Sequence, residues 1–389
     1  MRKMLAANCG LIMTGSLLFN GSVWASDTLE SADIEALVND TIAPLMAEHR
    51  IPGMAIALSI NGQQHYFNYG EADQEAGTPV TEETLFELGS ISKLFTAALT
   101  GYAQSSGTLS LSDPASQYLP ALEGSAFDEI TLLELGTYTA GELPLQFPDA
   151  VQSEAQMLDY YRQWQPESPP GSHRLYSNPS IGLLGYLTAQ RLGKPFETLM
   201  EEALFAPLGL EHSYYQVPES QQAHYAYGYS KEDKPIRVNP GMLDAQAYGL
   251  KSTAADVLTF VEANMNSTID EPLSQALATT RTGYFEVGNM TQGLGWESYA
   301  YPVTLEQLLE GNSLEMILEP NPANRLTPPL APRQEALYNK TGATNGFGGY
   351  VAFVPSEQIG IVLLANRNYP NQARIEAAHH ILSELTGAP

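Results

Sequence analysis

Two side chains suited to nucleophilic chemistry, Ser90 and Lys93, lie three residues apart in the stretch FELGSISKLFTAALTG. Positions i and i+3 share one face of a helix, so a helix that begins at Ser90 brings the hydroxyl and the amine within hydrogen-bonding reach. A confined lysine near other cations has a lowered pKa and can activate a serine for attack. The S-x-x-K pattern is common by chance, and taken alone it favours an N-cap serine followed by a solvated lysine.

A second candidate group, Tyr176 and Asn178, lies between a Pro-Gly turn and a strongly apolar helical pattern. A tyrosine beside cations can act as a base or relay a proton. The amide of Asn178 can donate and accept hydrogen bonds at once, which suits it to orient Lys93 and a substrate amide. Taken alone, the two residues are better explained as a half-buried aromatic and a helix cap.

A third group, Lys340, Thr341 and Gly342, ends a strand-like run. The lysine supplies a cation, the threonine offers a hydroxyl to an anionic group, and the glycine lets a ligand approach the backbone closely. An extended edge here can pair with a substrate amide, and its backbone N–H can complete an oxyanion hole. The plainer interpretation is an edge strand protected by a lysine.

The three patterns are individually weak, but their order S-x-x-K, Y-x-N, K-T-G is specific when they are taken together. On these motifs the sequence resembles the serine β-lactamases and penicillin-binding proteins, and among them most closely the class C β-lactamases. A tyrosine in the second motif separates it from class A enzymes, which carry S-D-N there. The resemblance covers nearly all of the chain after its first residues and includes LGSISKLFTAAL, TYTAGELPLQFPD, YSNPSIGLLGYL, AYGLKSTAADV, KTGATNGFGGYVAFVP and LANRNYPNQAR.

This resemblance implies acyl transfer in two halves, without a cofactor. Ser90 attacks the lactam carbonyl, Lys93 and Tyr176 share the base role, and Lys340 is the fourth catalytic residue. The backbone N–H groups of Ser90 and Ala343 hold the oxyanion, and water then cleaves the ester with help from Tyr176. Whether Lys93 or Tyr176 takes the proton stays open at this stage.

The resemblance also implies which residues contact the substrate. Gln146 and Asn178 contact its acylamide side chain, and Tyr248 forms one wall of the pocket. Asn371 and Arg374 help to hold the carboxylate beside the β-lactam ring. The complete predicted set is Gln146, Asn178, Tyr248, Thr341, Gly342, Asn371 and Arg374.

Two residues, Glu142 and Asn345, depart from the family pattern because glycine is expected at both positions. Both are expected to border the pocket. They leave the substrate preference open more than the type of reaction.

The chain is strongly acidic, because 44 Asp and Glu residues against 18 Lys and Arg give a formal net charge of −26 over 389 residues. This charge excludes nucleic acid as a partner. The acids are spread along the chain, which predicts a solvated acidic surface and suggests, as a hypothesis, a halophilic or halotolerant source in which salt screens self-repulsion. The seven histidines show no metal-ligand spacing, so no metal site is expected.

The segment 1–25 is predicted to be a secretory signal peptide, since Arg2 and Lys3 precede a mostly apolar run and small residues suit cleavage after Ala25. The run is shorter than the roughly 20 apolar residues of a membrane-spanning helix. The only cysteine, Cys9, lies inside this segment. We therefore expect an exported, periplasmic, monomeric protein that has no disulfide and does not bind membranes after cleavage.

The elements that must position these residues predict a mixed α/β fold. An amphipathic helix pattern followed by a hairpin at Asn61-Gly62 indicates a helix packed on an antiparallel sheet. The end of the chain returns to three short strand-like runs and a closing helix, so helices from both termini flank the sheet. We expect the active site at the interface between this sheet and an inserted, mostly helical domain. The predicted parts are one domain at 26–389, with its α/β part at 26–94 and 195–389 and its helical part at 95–194.

Three functions fit these residues, and the leading one is hydrolysis of β-lactam antibiotics, preferentially cephalosporins, through an acyl-enzyme on Ser90. A D-alanyl-D-alanine peptidase or serine esterase on the same scaffold is the second, because a fold does not fix a function. The third is a non-hydrolysing penicillin-recognition receptor that stays acylated.

Overall fold

An antiparallel sheet of ten strands forms the centre of the computed structural model, which describes residues 31–265 and 269–388. The described residues form these ten strands and seven short ones that belong to smaller sheets. In chain order all of them are β1 (Gly53–Ile60), β2 (Gln63–Asp73), β3 (Thr78–Pro79), β4 (Phe86–Glu87), β5 (His173–Arg174), β6 (Ser213–Tyr214), β7 (Gly228–Tyr229), β8 (Pro235–Ile236), β9 (Lys251–Ser252), β10 (Gly283–Val287), β11 (Met290–Gln292), β12 (Glu297–Ala300), β13 (Asn321–Pro322), β14 (Asn324–Leu330), β15 (Ala336–Ala343), β16 (Gly348–Val354) and β17 (Ile359–Ala365). The order in the large sheet is β14-β10-β11-β12-β15-β16-β17-β1-β2-β3.

Helices cover both faces of this sheet and fill the middle of the chain. In chain order they are α1 (Ser31–His49), α2 (Ser92–Ser105), α3 (Leu132–Gly136), α4 (Glu154–Gln163), α5 (Asn178–Leu192), α6 (Phe196–Met200), α7 (Ala206–Leu208), α8 (Asp244–Ala247), α9 (Ala254–Met265), α10 (Leu273–Arg281), α11 (Leu305–Gly311), α12 (Leu314–Leu318) and α13 (Asn371–Thr386). The mixed α/β fold with a large antiparallel sheet is therefore confirmed.

The hairpin expected from the sequence joins β1 to β2. Ile60 pairs with Gln63, which leaves Asn61 and Gly62 as a two-residue loop. The φ angles of Asn61 and Gly62, 51° and 79°, are those of a left-handed turn. Asparagine and glycine adopt this conformation at little cost, so the loop residues fix the register of the two strands.

Strand β17 is apolar throughout because both faces of the sheet are covered. Ile361 and Leu363 pack in one hydrophobic cluster with residues of α1 and α13. Val362 and Leu364 pack in a second cluster, with residues of α9. Since successive side chains of a strand point to opposite faces, the terminal helices cover one face and α9 covers the other.

The segment from α2 to α5 is mostly helical, as the sequence predicts. Helix α2 is buried along nearly its whole length and packs against α5 and α10. Strand β5 pairs with β13 through Arg174 and Asn321, which joins this segment to the chain that follows α12. The division into an α/β part and an inserted helical part stays a prediction. What matters for chemistry is that the starts of α2 and α5 and the end of β15 meet at one cavity.

Candidate active site

Ser90 lies in a turn of 3₁₀ helix, Gly89–Ile91, that leads directly into α2. One turn further on, Lys93 Nζ donates a hydrogen bond to Ser90 Oγ at 2.9 Å and another to the carbonyl oxygen of Ala247 at 2.8 Å. Lys93 is completely buried, and the Ser90 hydroxyl caps neither the turn nor α2. The interpretation as an N-cap serine with a solvated lysine is therefore wrong.

The environment of Lys93 favours the neutral amine. Burial lowers the pKa of Lys93, the nearby Tyr176 opposes this effect, and the positive charge of Lys340 adds to it. The net pKa lies below that of an exposed lysine. An amine of this kind can accept the Ser90 proton more readily than an ordinary lysine.

Tyr176 is buried where the chain passes from β5 to α5. The ammonium groups of Lys93 and Lys340 lie 5.0 and 4.9 Å from its ring centroid. Burial raises the pKa of Tyr176, but the charges of Lys340 and Lys93 outweigh this effect and lower it below the ordinary tyrosine value. The Ser90 hydroxyl acts in the same direction. The lowered pKa favours the phenolate form, which a base or proton relay requires.

The end of β15 presents a free edge to this group. β12 pairs with β15 only as far as Asn339, so within the described chain residues 340–343 pair with β16 alone. Lys340, Thr341 and Gly342 lie on this stretch. The strand edge inferred from the sequence is thus present and open to the cavity.

Two glycines let β15 lie against the turn that carries Ser90. Gly89 has a φ of 53°, and a Cβ atom there would lie 2.5 Å from the backbone N of Ala343. A Cβ atom at Gly342 would lie 2.1 Å from the carbonyl oxygen of Leu88. A side chain at either position would push β15 away. The close approach brings the backbone of Ala343 beside the nucleophile, where an oxyanion donor has to lie.

A buried charged cluster that no sequence motif predicts lies behind Lys340. The Glu297 carboxylate accepts a hydrogen bond from Arg174 at 2.9 Å and lies 3.6 Å from Lys340 Nζ. Arg174 also donates to Gln292 Oε1 at 2.6 Å and to the carbonyl oxygen of Met316 at 2.9 Å. These partners satisfy the buried guanidinium, which would otherwise be costly to desolvate.

The sequence contains a pattern that could have identified one member of this cluster, Arg174. Arg174 precedes Tyr176 by two residues, and alternate residues of an extended segment point to the same side. Its guanidinium lies 5.6 Å from the Tyr176 ring centroid. Glu297 had no such signal, because its proximity to Lys340 depends on the pairing of β12 with β15.

The site groups line a cavity of about 700 Å³. The predicted residues on its wall are Ser90, Gln146, Tyr176, Asn178, Tyr248, Lys340, Thr341, Gly342, Ala343 and Asn371. Asn178 Oδ1 is buried and has no partner among the described residues, so it can accept a hydrogen bond from a substrate amide. The expected orientation of Lys93 by Asn178 is wrong, since Lys93 donates to Ser90 and Ala247 instead.

Arg374 lies behind this wall and not on it. Its guanidinium is buried and donates to the carbonyl oxygen of Gly342 and to Asn368 Oδ1, each at 2.7 Å, and to the carbonyl oxygen of Tyr369. Burial lowers the pKa of Arg374 to about 10. Arg374 thus holds the strand end and Asn368 in place, whereas Asn371 is the predicted carboxylate contact that reaches the cavity.

The two departures from the family pattern lie in different surroundings. Glu142 has a φ of 75°, the left-handed conformation that explains why glycine is expected there. It is half-buried and does not line the cavity, contrary to expectation. Asn345 is exposed and does line the cavity, so of the two it is the one placed to affect substrate preference.

Comparisons with known proteins agree with the geometry of this site. A family model described as Beta-lactamase matches residues 38–386. The chain belongs to the β-lactamase family. A β-lactamase of Pseudomonas fluorescens is 55% identical over 356 residues, which cover 91% of this chain and 99% of that relative.

Solved structures identify the branch of the family. A class C β-lactamase in complex with cefoxitin matches with a TM-score of 0.89 and 46% identity, over 91% of this chain and 99% of that one. A Pseudomonas syringae protein described as β-lactamase/D-alanine carboxypeptidase matches with a TM-score of 0.88 and 49% identity, over 90% and 98% of the two chains. The protein is a class C serine β-lactamase by family, as its three motifs indicate.

Proposed function

We propose that this class C family member hydrolyses β-lactams through a covalent acyl-enzyme on Ser90. The observation that carries the proposal is the 2.9 Å hydrogen bond between Ser90 Oγ and a fully buried lysine with a lowered pKa. Tyr176, whose pKa is also lowered, lies beside the same lysine. Together these groups can turn a weakly nucleophilic hydroxyl into an attacking alkoxide.

In the acylation half, Ser90 Oγ bonds to the lactam carbonyl carbon while its proton passes to Lys93 or Tyr176. The ring C–N bond then breaks, and the lactam nitrogen takes a proton from the same pair. In the deacylation half, Tyr176 accepts a proton from water as the water oxygen attacks the ester. The bond between the carbonyl carbon and Ser90 Oγ then breaks, and Oγ takes the proton that Tyr176 accepted. The N–H groups of Ser90 and Ala343 donate to the oxyanion in both halves.

The free edge of β15 orients the substrate in this proposal. Its backbone pairs with the substrate amide, while Gln146 and Asn178 contact the acylamide side chain. Thr341 and Asn371 receive the carboxylate, supported by the charge of Lys340. All five side chains lie on the cavity wall, which supports their assignment.

Within this reaction we propose a preference for cephalosporins. The solved class C neighbour in complex with cefoxitin supports a β-lactam of this kind as substrate. A second candidate activity is D-alanine carboxypeptidase, because two similar structures carry that description in whole or in part. Both activities would use Ser90 as nucleophile but would form different esters, a ring-opened lactam ester or a peptidyl ester, so the rate at which water cleaves each ester decides which substrate is turned over.

A chromogenic cephalosporin mixed with the purified chain tests the proposal. Many turnovers support hydrolysis, whereas a single stoichiometric burst indicates a receptor that stays acylated. Cleavage of a D-Ala-D-Ala peptide or an ester without lactam turnover supports the second alternative, a peptidase or esterase. Ser90→Ala is expected to reduce turnover by at least about 10⁴-fold, while Ser112→Ala, at an exposed serine, leaves it unchanged.

We also propose that the protein is exported to the periplasm and is adapted to saline surroundings. The predicted signal peptide, 1–25, lies outside the described residues, and among those that are described no helix has the length and apolar character needed to cross a membrane. The net charge of −26 supports adaptation to saline surroundings. A melting temperature that does not rise between low and molar salt would contradict this adaptation, and a periplasmic fraction without the protein would contradict export.

A further inference from the structure

We propose that Glu87 is a positioning residue that fastens two walls of the cavity to the strand leading into Ser90. Glu87 ends β4, three residues before the nucleophile, and its side chain is nearly fully buried. The proposed acyl transfer does not use this carboxylate directly. The inference rests on that proposed reaction, because one wall carries the proposed oxyanion donor Ala343 and the other, which includes Val238, borders the same cavity.

The two oxygens of Glu87 reach different segments. Oε1 accepts hydrogen bonds from Tyr225 Oη and from the backbone N–H of Val238, each at 2.7 Å. Oε2 accepts from Thr344 Oγ1 at 2.6 Å. Burial and the negative charge of Glu87 raise the pKa of Tyr225, so its phenol stays a donor.

These contacts link three parts of the site. Thr344 follows the proposed oxyanion donor Ala343, so Oε2 fixes the end of β15. Val238 lines the cavity on the loop that follows β8, so Oε1 fixes that loop. One carboxylate therefore sets the spacing between the nucleophile turn, the oxyanion strand and the loop wall.

The chemistry of the contacts explains why an acid is placed here. A carboxylate accepts only, and here three donors are shared between its two oxygens. In the described part of the chain, no lysine or arginine lies within ion-pair distance of Glu87. Lys251, its partner in the β4–β9 pair, interacts with it only at longer range, so its direct partners are all neutral donors. An apolar side chain would fill the same space without the cost of desolvating a carboxylate. The carboxylate is therefore better explained by the positions it gives to its three donors than by packing.

Single substitutions separate the two sets of Glu87 contacts. The arm to β15 is the hydrogen bond from Thr344, and the loop arm is the pair of hydrogen bonds from Tyr225 and Val238. Thr344→Val cuts the arm to β15 and is expected to lower kcat about threefold to tenfold, the effect of one hydrogen bond, with KM within twofold. Thr344→Ser keeps the hydroxyl and is the matched control. Tyr225→Phe cuts the loop arm and is expected to raise KM about threefold for substrates with bulky acyl side chains, with kcat unchanged.

Variants of Glu87 test the carboxylate that accepts all three hydrogen bonds. In Glu87→Gln, the amide oxygen can still accept from Tyr225 and Val238, and the amide N–H can donate to the Thr344 hydroxyl, so kcat and KM are expected to stay within about threefold of wild type. Glu87→Ala is expected to change both constants. If Glu87→Ala does not fold, Thr344→Val and Tyr225→Phe still carry the test.

The affinity for a boronic acid distinguishes positioning of the oxyanion donor from a general effect on stability. Phenylboronic acid forms a tetrahedral adduct on Ser90 whose oxygen occupies the oxyanion position, so Thr344→Val should weaken its binding by the same factor as kcat/KM. The proposal is overturned if Thr344→Val and Tyr225→Phe give the same kinetic split, or if Glu87→Ala keeps both constants within twofold. A wild-type chain that binds the boronate but turns over no β-lactam would refute the proposed function alone.

Discussion

Lys93 and Lys340 lie at nearly the same distance from the Tyr176 ring centroid, 5.0 and 4.9 Å, but their surroundings differ. Lys93 donates only to neutral acceptors, the Ser90 hydroxyl and the Ala247 carbonyl. The ammonium of Lys340 lies 3.6 Å from the Glu297 carboxylate, which Arg174 also contacts. One side of the tyrosine thus has an amine without a carboxylate partner, and the other has an ammonium group paired with a carboxylate.

These two environments explain how one residue type takes two roles in one site. Burial without a carboxylate partner lowers the pKa of Lys93, which suits it to exchange protons with Ser90. Lys340 keeps a counter-charge, so we assign it the role of a fixed charge. Its charge is the largest of those that lower the pKa of Tyr176. The proton carrier and the field that tunes the tyrosine are therefore separate groups.

Replacement of each lysine by methionine should give the greatest loss of activity and compares the two residues directly. Lys93→Met removes a proton acceptor and the hydrogen bond to Ser90, and should lower the acylation rate about 10³–10⁴-fold. Lys340→Met removes one electrostatic contact and should lower it about 10²-fold. Stopped-flow acylation measures both, with the exposed Lys194→Met as control. Equal losses would contradict the assignment of different roles.

A second prediction concerns the packing that brings both sides to Ser90. Gly89→Ala should lower kcat about 10²–10³-fold, because its Cβ would collide with Ala343 and displace the oxyanion strand. Gly124→Ala is the matched control, since Gly124 also has a positive φ, 77°, but no atom lies within 4 Å of a Cβ there. If both variants lost kcat equally, backbone strain and not displacement would be responsible.

The smallest effect is a pair of opposite shifts in the pH profile. The acid limb of kcat/KM reports the base, whose activity requires the deprotonated form. Lys340→Met removes a charge that lowers the pKa of both Tyr176 and Lys93, so the limb should move to higher pH. Glu297→Gln removes a charge that raises both pKa values, so the limb should move to lower pH. Shifts in the same direction would refute the compensated role of Lys340.

The sequence predicted those parts of the site that depend on local geometry. Ser90 and Lys93 are one helical turn apart, so their hydrogen bond follows from a spacing of three residues. Thr341 and Gly342 were placed correctly at the end of a strand, because alternation and turn residues mark strands locally. Arg374 was expected on the cavity wall from the resemblance, but its guanidinium turns inward to backbone carbonyls, a direction that no local pattern encodes.

The family, the main strands and helices, and the order of the three motifs can be read from the amino-acid sequence. The contacts of Glu297 with Lys340 and of Glu87 with Thr344 cannot, because they depend on how distant segments pack. Periodicity fixes which neighbours along one element can meet. Contacts between distant segments depend on sheet register and on the close approach that Gly89 and Gly342 permit, so they form only when the whole chain packs.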